Sequence, residues 1–488
     1  MRRALPAALI LTAIAALAAA IAGLRLYDRA RTDTTGTLAF ERPLRIPPLL
    51  EPRADASGRK VFDLRLQTGT TELSHGRAAQ TWGVNGPHLG PTLRAARGDD
   101  VRMRVHNALP ERTTLHWHGM HLPAHADGGP HQMIEPGRTW TPSWEIEQPA
   151  ATLWYHAHLM GATERHVHRG LAGMWILDEP GAERLPLPRR YGVDDIPLLL
   201  QDARLDDDGA LDESNAPISP TGRLGDDMLV NCTRDRHLRV SDRLVRFRLL
   251  NASSARIYAI GFADDRRFTT IASDAGLLER PVERTRIQLS PGERAEIVAG
   301  FEPGERVVLR SHAPELGTDF FHDRFSGGDD TLDLLEVRAA PELGASPALP
   351  RRLAAPAPPS ADVVRARRFE LSGSSRINGR RMDMARIDEV LEPGATEIWD
   401  VANPGATPHN FHPHGVSFRI PDIGGDRPPA HLAGFKDTVF VPPGETVRLL
   451  LRAPRHADHH APYMLHCHLL QHEDRGMMGQ FVTALSGS

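Results

Sequence analysis

Cysteine and lysine are almost missing from this chain of 488 residues. Cys232 and Cys467 are its only cysteines, which excludes a disulfide framework and a cysteine-rich zinc module. Lys60 and Lys436 are its only lysines, so arginine supplies nearly all of the 58 basic residues. These face 62 acidic residues, for a net charge of −4, and no basic excess points to a nucleic-acid partner. Beyond the amino terminus no stretch carries a sustained heptad or a long helical period, which argues against a helical protein. With 42 glycines and 40 prolines, a turn-rich β protein fits best, and the length allows two to four domains.

One long apolar run is present. Ala4 to Leu24 contains no charge and follows Met1-Arg2-Arg3. Small residues at Ala18-Ala19-Ala20 or Ala20-Ile21-Ala22 suit a signal cleavage site, and the length suits an uncleaved membrane anchor. Residues 1–24 are therefore read as a signal peptide or an anchor, with cleavage left open. Either places the folded part in the periplasm or otherwise outside the cytoplasm. Ala-Leu-Pro follows the arginine pair, so the route, general secretory or twin-arginine, also stays open. Residues up to Leu50, with Pro43, Pro47 and Pro48, read as an extended lead-in.

The rest of the chain repeats itself three times. A turn and an alternating strand end at Asn107, again at Asn251 and again at Asn403. A Pro-Gly turn before a strand recurs at Pro136-Gly137, Pro291-Gly292 and Pro443-Gly444. Both elements give a period of about 150 residues, the size of a β-sandwich. The reading is all-β, with three Greek-key sandwich domains at 50–180, 190–340 and 368–488. Proline-rich residues 180–191 join the first two domains, and an Ala/Pro/Arg-rich linker, 341–367, precedes the third.

Histidine, by contrast, is abundant at 25 residues, and ten fall in four short segments. These are His116-Trp-His118, His156-Ala-His158, His409-Asn-Phe-His412-Pro-His414 and His466-Cys467-His468-Leu-Leu-Gln-His472. They occupy the first and third repeats, nine residues beyond Asn107 and Asn403, where the middle repeat has Ile260. A metal site shared between domains one and three follows. Residues i and i+2 of a strand share a face, so four His-x-His pairs offer eight imidazoles to one metal or to adjacent metals. Cys467 points away from its flanking histidines and serves a different metal. That metal can take Cys467, His409, His472 and Met477, and two His, one Cys and a weak Met describe a blue-copper electron-transfer site. His166-Val-His168 is a solitary pair and is set aside.

These segments resemble the multicopper oxidases, and the similarity runs through Trp82-Gly83-Val84-Asn85-Gly86, Leu171-Ala172-Gly173 and Ile271-Ala272-Ser273-Asp274. The resemblance is to bacterial three-domain laccase-like enzymes of the periplasmic copper-oxidase type, which implies three cupredoxin domains. It implies four coppers per chain. His116 and His412 would hold type 2 copper. His118, His156, His158, His414, His466 and His468 would hold the type 3 pair. His409, Cys467 and His472 would hold type 1 copper, with Met477 axial and Met478 the neighbouring alternative. Asp127 resembles the acid beside type 2 copper, and Glu473 a proton donor to the trinuclear site. An electron taken at Cys467 would pass through His466 and His468, and four would reduce dioxygen to water. The expected partners are a small reducing substrate and dioxygen, and the expected state is a monomer. Cys232 is expected to be a plain buried or free thiol.

Cuprous specialists carry a Met-rich insert before the third domain, and Asp and Met just before the type 1 histidine. Here the linker has no methionine, Gly405 and Thr407 stand at the latter positions, and Met382 and Met384 read as strand and turn residues. Phenols and aromatic amines are the better general expectation, with metal ions as further donors. The alternative is a non-catalytic scaffold of the cell envelope, which would have no need for ten histidines, Cys467 and Met477. A two-domain copper nitrite reductase is disfavoured by the three repeats.

Overall fold

The strand ending at each repeat asparagine is the spine of one sandwich. A computed structural model describes residues 4–74, 76–206, 208–214, 219–355 and 362–485. Arg2-Arg3 and linker residues 356–361 lie outside the described residues. Asp100–Asn107, Leu244–Asn251 and Thr396–Ala402 each alternate between buried and more exposed positions at the start. Each runs parallel to an earlier strand: Lys60–Ser74, Asp195–Ala203 and Val363–Ser372 respectively. Each also pairs antiparallel with the strand that follows its Pro-Gly turn.

The recurrence of asparagine has a hydrogen-bonding reason. The Asn107 amide donates to the Glu111 and Ile134 carbonyls, and its side-chain oxygen accepts from the Leu109 amide. Asn251 makes the same three bonds with Arg256, Leu289 and Ser253. Asn403 makes them with Thr407, Val441 and Gly405. The backbone carbonyl of each accepts from the glycine of the matching Pro-Gly turn, Gly137, Gly292 or Gly444. Those glycines have φ of 74°, 86° and 77°, a left-handed conformation that costs a side-chain-bearing residue. One buried amide thus satisfies a whole strand-to-loop corner, where unpaired backbone groups would each be costly.

Six sheets of five or six strands pair into three sandwiches. Each encloses its own core, centred on Trp117 and Trp175, on Phe247 and Phe262, and on Trp399 and Phe481. The last strand of the second sandwich runs Leu332–Gly344, and the first of the third runs Val363–Ser372, so regular structure enters the expected linker from both sides.

The lead-in is not a free strap. Arg42–Pro43 pairs with Arg236–His237 of the second sandwich, and Leu44 and Ile46 pack on its core. Leu49–Leu50 then pairs with the first sandwich. The middle unit is further clamped to its neighbours by buried ions. Arg248 reaches Asp195, Glu296 and Thr152, and Arg294 donates twice to Asp437 at 2.6 Å. Lys436, one of the two lysines, is 2% exposed and bridges Asp274 at 2.8 Å and Glu293 at 3.0 Å. This arrangement presses the first and third sandwiches together at the histidine segments.

Candidate metal centre

All eight paired imidazoles are buried and converge between the first and third sandwiches. Strand His116–His118 pairs with Ala151–His156, and His409–Pro413 pairs with Asp458–His466 with His412 opposite His466. His118 stacks on His412 across the interface at 3.7 Å, and His116 on His414 at 3.8 Å. Nitrogen atoms approach one another as donors around a common point. His158 Nε2 and His414 Nε2 lie 3.2 and 3.1 Å from His466 Nε2, and His156 Nε2 lies 3.4 Å from His118 Nδ1. The His468 ring centroid is 4.9 Å from His118 and 5.2 Å from His156.

The far side of most rings is fixed. His116 Nδ1 donates to the Asp127 carbonyl at 2.9 Å, His412 Nδ1 to that of Asp437 at 2.7 Å, and His156 Nδ1 to that of Ala157 at 2.9 Å. His414 Nδ1 donates to Asp127 Oδ2 at 2.7 Å. Glu473 spans two rings, with Oε1 3.3 Å from His158 Nδ1 and Oε2 3.2 Å from His466 Nδ1. His118 is held by its other nitrogen, with Nε2 3.1 Å from Asp437 Oδ1 and 3.0 Å from Thr438 Oγ1. Such partners set tautomer and orientation, leaving the opposite nitrogen with a lone pair.

Buried site nitrogens without a hydrogen bond remain at His116 Nε2, His158 Nδ1, His412 Nε2 and both positions of His468, and both Glu473 oxygens also lack one. An unpartnered buried ring nitrogen is costly, and several converging lone pairs are what a metal ion would satisfy. Burial above all, with neighbouring imidazoles, holds His118, His156, His412, His414 and His468 well below the ordinary imidazole range. Burial also brings His158 down to about 4. These rings are neutral, the form that ligates. Glu473 is pushed up by burial but drawn down to about 2 overall by His158 and His466, so it is a carboxylate here.

The second donor set lies one residue away along the backbone. Cys467 Sγ is 3.6 Å from His409 Nδ1 and 3.7 Å from His472 Nδ1, and those two nitrogens are 3.2 Å apart. His472 Nε2 donates to the Pro220 carbonyl at 2.8 Å. Burial pushes the Cys467 thiol up to about 12, so a thiolate there calls for a cation. Met477 is fully buried in the same core cluster as Cys467, and its carbonyl accepts from the Cys467 amide at 3.1 Å. Met478 points elsewhere, into a cluster with Met160, Met382, Met384 and Met464. Met382 and Met384 therefore belong to a sulfur-rich packing cluster, and Met382 lies outside any strand. His409, Cys467 and His472 gather as the strong ligands of a blue-copper site would, and copper suits the imidazole-only set.

Some participants escape a reading by spacing. Asn410 accepts from the His468 amide at 2.6 Å and donates to the Pro291 carbonyl at 2.8 Å, tying the Cys467 segment to the middle sandwich. Asp437 and Arg294 were equally hidden. Lys436-Asp437 stands out only because lysine is so rare. His166 is structural, bonded to Glu111 at 2.7 Å and Thr113 at 2.9 Å. Cys232 is a half-buried free thiol whose Sγ donates to the His88 carbonyl at 3.7 Å.

Models of the multicopper oxidase family match residues 65–182 and 354–486. The chain belongs to the multicopper oxidase family. Its three sandwiches are accordingly cupredoxin-like Greek-key domains. Among solved structures it resembles the bacterial laccase-like oxidase CueO of Ochrobactrum sp., with TM-score 0.82 and 38% identity, covering 91% of this chain and 100% of that one. The laccase of Pediococcus acidilactici also has TM-score 0.82, at 34% identity, covering 91% and 94%. Among curated relatives, the cell division protein FtsP of Sodalis glossinidius is 39% identical over 91% of this chain and 93% of its own. FtsP of Edwardsiella tarda is 38% identical over 90% and 92%.

Proposed function

We propose that this chain is a laccase-like copper oxidase. It takes single electrons from small phenolic, aromatic amine or metal-ion donors at the Cys467 site and reduces dioxygen at the eight-imidazole site. The observation that carries this reading is the tripeptide His466-Cys467-His468, whose cysteine belongs to one donor set and whose histidines belong to the other. Four coppers, one with His409, Cys467, His472 and Met477 and three among the eight imidazoles, would supply the one-electron chemistry and the binding of dioxygen. The protein's own residues keep those donors in place. Asp127 fixes His414 and His116, and Glu473 fixes His158 and His466. Forming two waters from one dioxygen consumes four electrons and four protons. Asp127 and Glu473 are the buried carboxylates placed to take up protons and relay them inward.

A second reading, a non-catalytic scaffold of the cell envelope, is favoured by the relatives named cell division protein. The two readings diverge in one experiment. Copper-loaded oxidase should bind about four coppers per chain, turn blue and consume dioxygen with at least one donor from a phenol, an aromatic amine, cuprous ion or ferrous ion. Cys467→Ser should lose both colour and turnover. A wild-type protein with no blue band and no oxygen uptake after loading supports the scaffold.

A further inference from the structure

The apolar helix Ala4–Arg29 does not end free in solvent; its last turn packs on the second sandwich through Tyr27. The Tyr27 ring meets Phe320 and Phe325 edge-on at 6.5 and 6.2 Å, and the Arg324 guanidinium lies 4.4 Å from its centroid. Leu26 and Arg29 line a cavity of about 220 Å³ together with Phe325. The next residues lock on: the Thr32 amide donates to Asp330 at 2.8 Å, the Thr32 hydroxyl to Asp226 at 2.9 Å, and the Gly36 amide to Asp333 at 2.8 Å.

Two apolar features meet at this point without protein cover. Leu9–Arg29 is long and apolar enough to cross a bilayer, and its side chains from Leu9 to Leu26 are exposed. Beside its end, the short helix Phe320–Phe325 leaves Phe320 76% and Phe321 53% exposed. Phe320 is the most exposed large hydrophobic side chain among the described residues. A groove on another protein would cover one side of a helix, whereas this helix is apolar on every side, and only a lipid phase covers all of them. Arg25 and Arg29 are exposed at its end, where headgroup phosphates would meet them.

We propose that the helix Ala4–Arg29 is retained as a membrane anchor and that the adjoining face of the second sandwich rests on the bilayer, with Phe320 and Phe321 in the interfacial layer. The helix runs unbroken through both small-residue tripeptides, and Ala22 lies five residues before Tyr27, whose ring packs on Phe320 and Phe325. A peptidase that takes its substrate extended would have to unwind the helix against the folded domain. The surface is independent of whether copper is bound.

The full chain tests it. Intact mass of protein from the membrane fraction should include residues 1–24, and alkaline carbonate should not release it. Phe321→Cys carrying a nitrobenzoxadiazole dye, in vesicles of phosphatidylethanolamine and phosphatidylglycerol, should lose at least half its emission to nitroxide-labelled lipid. Val390→Cys, on the third sandwich and 50% exposed, should lose none, and unsubstituted protein gives the background. Phe320→Cys supplies the same reading if the first variant does not accumulate. A mature chain cut within residues 18–24, release by carbonate, or equal emission at 321 and 390 would overturn the proposal. So would protection of 321 that depends on protein concentration without lipid, which would mark a contact between copies.

Discussion

Arg294 shows how much a single side chain outside the donor sets decides. It comes from the repeat without site histidines, is fully buried, and grips both oxygens of Asp437. Asp437 in turn holds His118 through its side chain and His412 through its carbonyl. Arg294→Met leaves an unpaired buried carboxylate, for which a loss of about 3–5 kcal/mol is expected. Thermal unfolding should register it, and metal analysis should find less copper than in wild type. His88 is a different case. It is buried with both ring nitrogens unpartnered, and burial lowers it to about 3 from an ordinary 6.5. A lowered imidazole favours folding above the unfolded value, and that contribution falls as pH drops from 6.5 towards 3. At pH 5 the loss is about 2 kcal/mol from this residue. His88→Leu should flatten that part of the Tm-against-pH curve of metal-free protein; an unchanged curve would refute the assignment.

At the scale of elements, the asparagine corner is the recurring device. The periodic asparagines are visible in the chain because each position demands the same three hydrogen bonds. Asn251→Ala removes the donor to two buried carbonyls in the middle sandwich, so a loss of about 2–4 kcal/mol is expected, measurable by urea unfolding. The four histidine segments were legible as His-x-His spacing, though only His116–His118 lies wholly within a strand, and His158, His414 and His468 follow the ends of theirs. The lead-in was not legible, because its residues 40–50 have no pattern of their own and are ordered by pairing with Arg236–His237 and Thr92–Leu93.

For the whole molecule, the donors come from two sandwiches held together by a third. Metal bound at such a place stabilises the assembled form relative to any state in which the first and third sandwiches separate. Copper loading is therefore expected to raise Tm by several degrees, with the gain lost to a chelator, since ligand at 100 times Kd adds about 2.7 kcal/mol. Calorimetry with and without copper checks this. A Tm indifferent to copper would mean that the donors do not bind it across the interface.

Spacing and residue type alone pointed to the repeats, the all-β class and the histidine segments that converge in space, because strand period and residue chemistry are local properties. Which imidazole faces which, that Met477 shares the buried core of Cys467 while Met478 joins a separate methionine cluster, and that Lys436, Asp274, Arg294 and Asp437 form one buried clamp were decided only by tertiary structure. Ion pairs and ring orientations join residues more than a hundred positions apart, and their energy comes from excluding water, which no local pattern records.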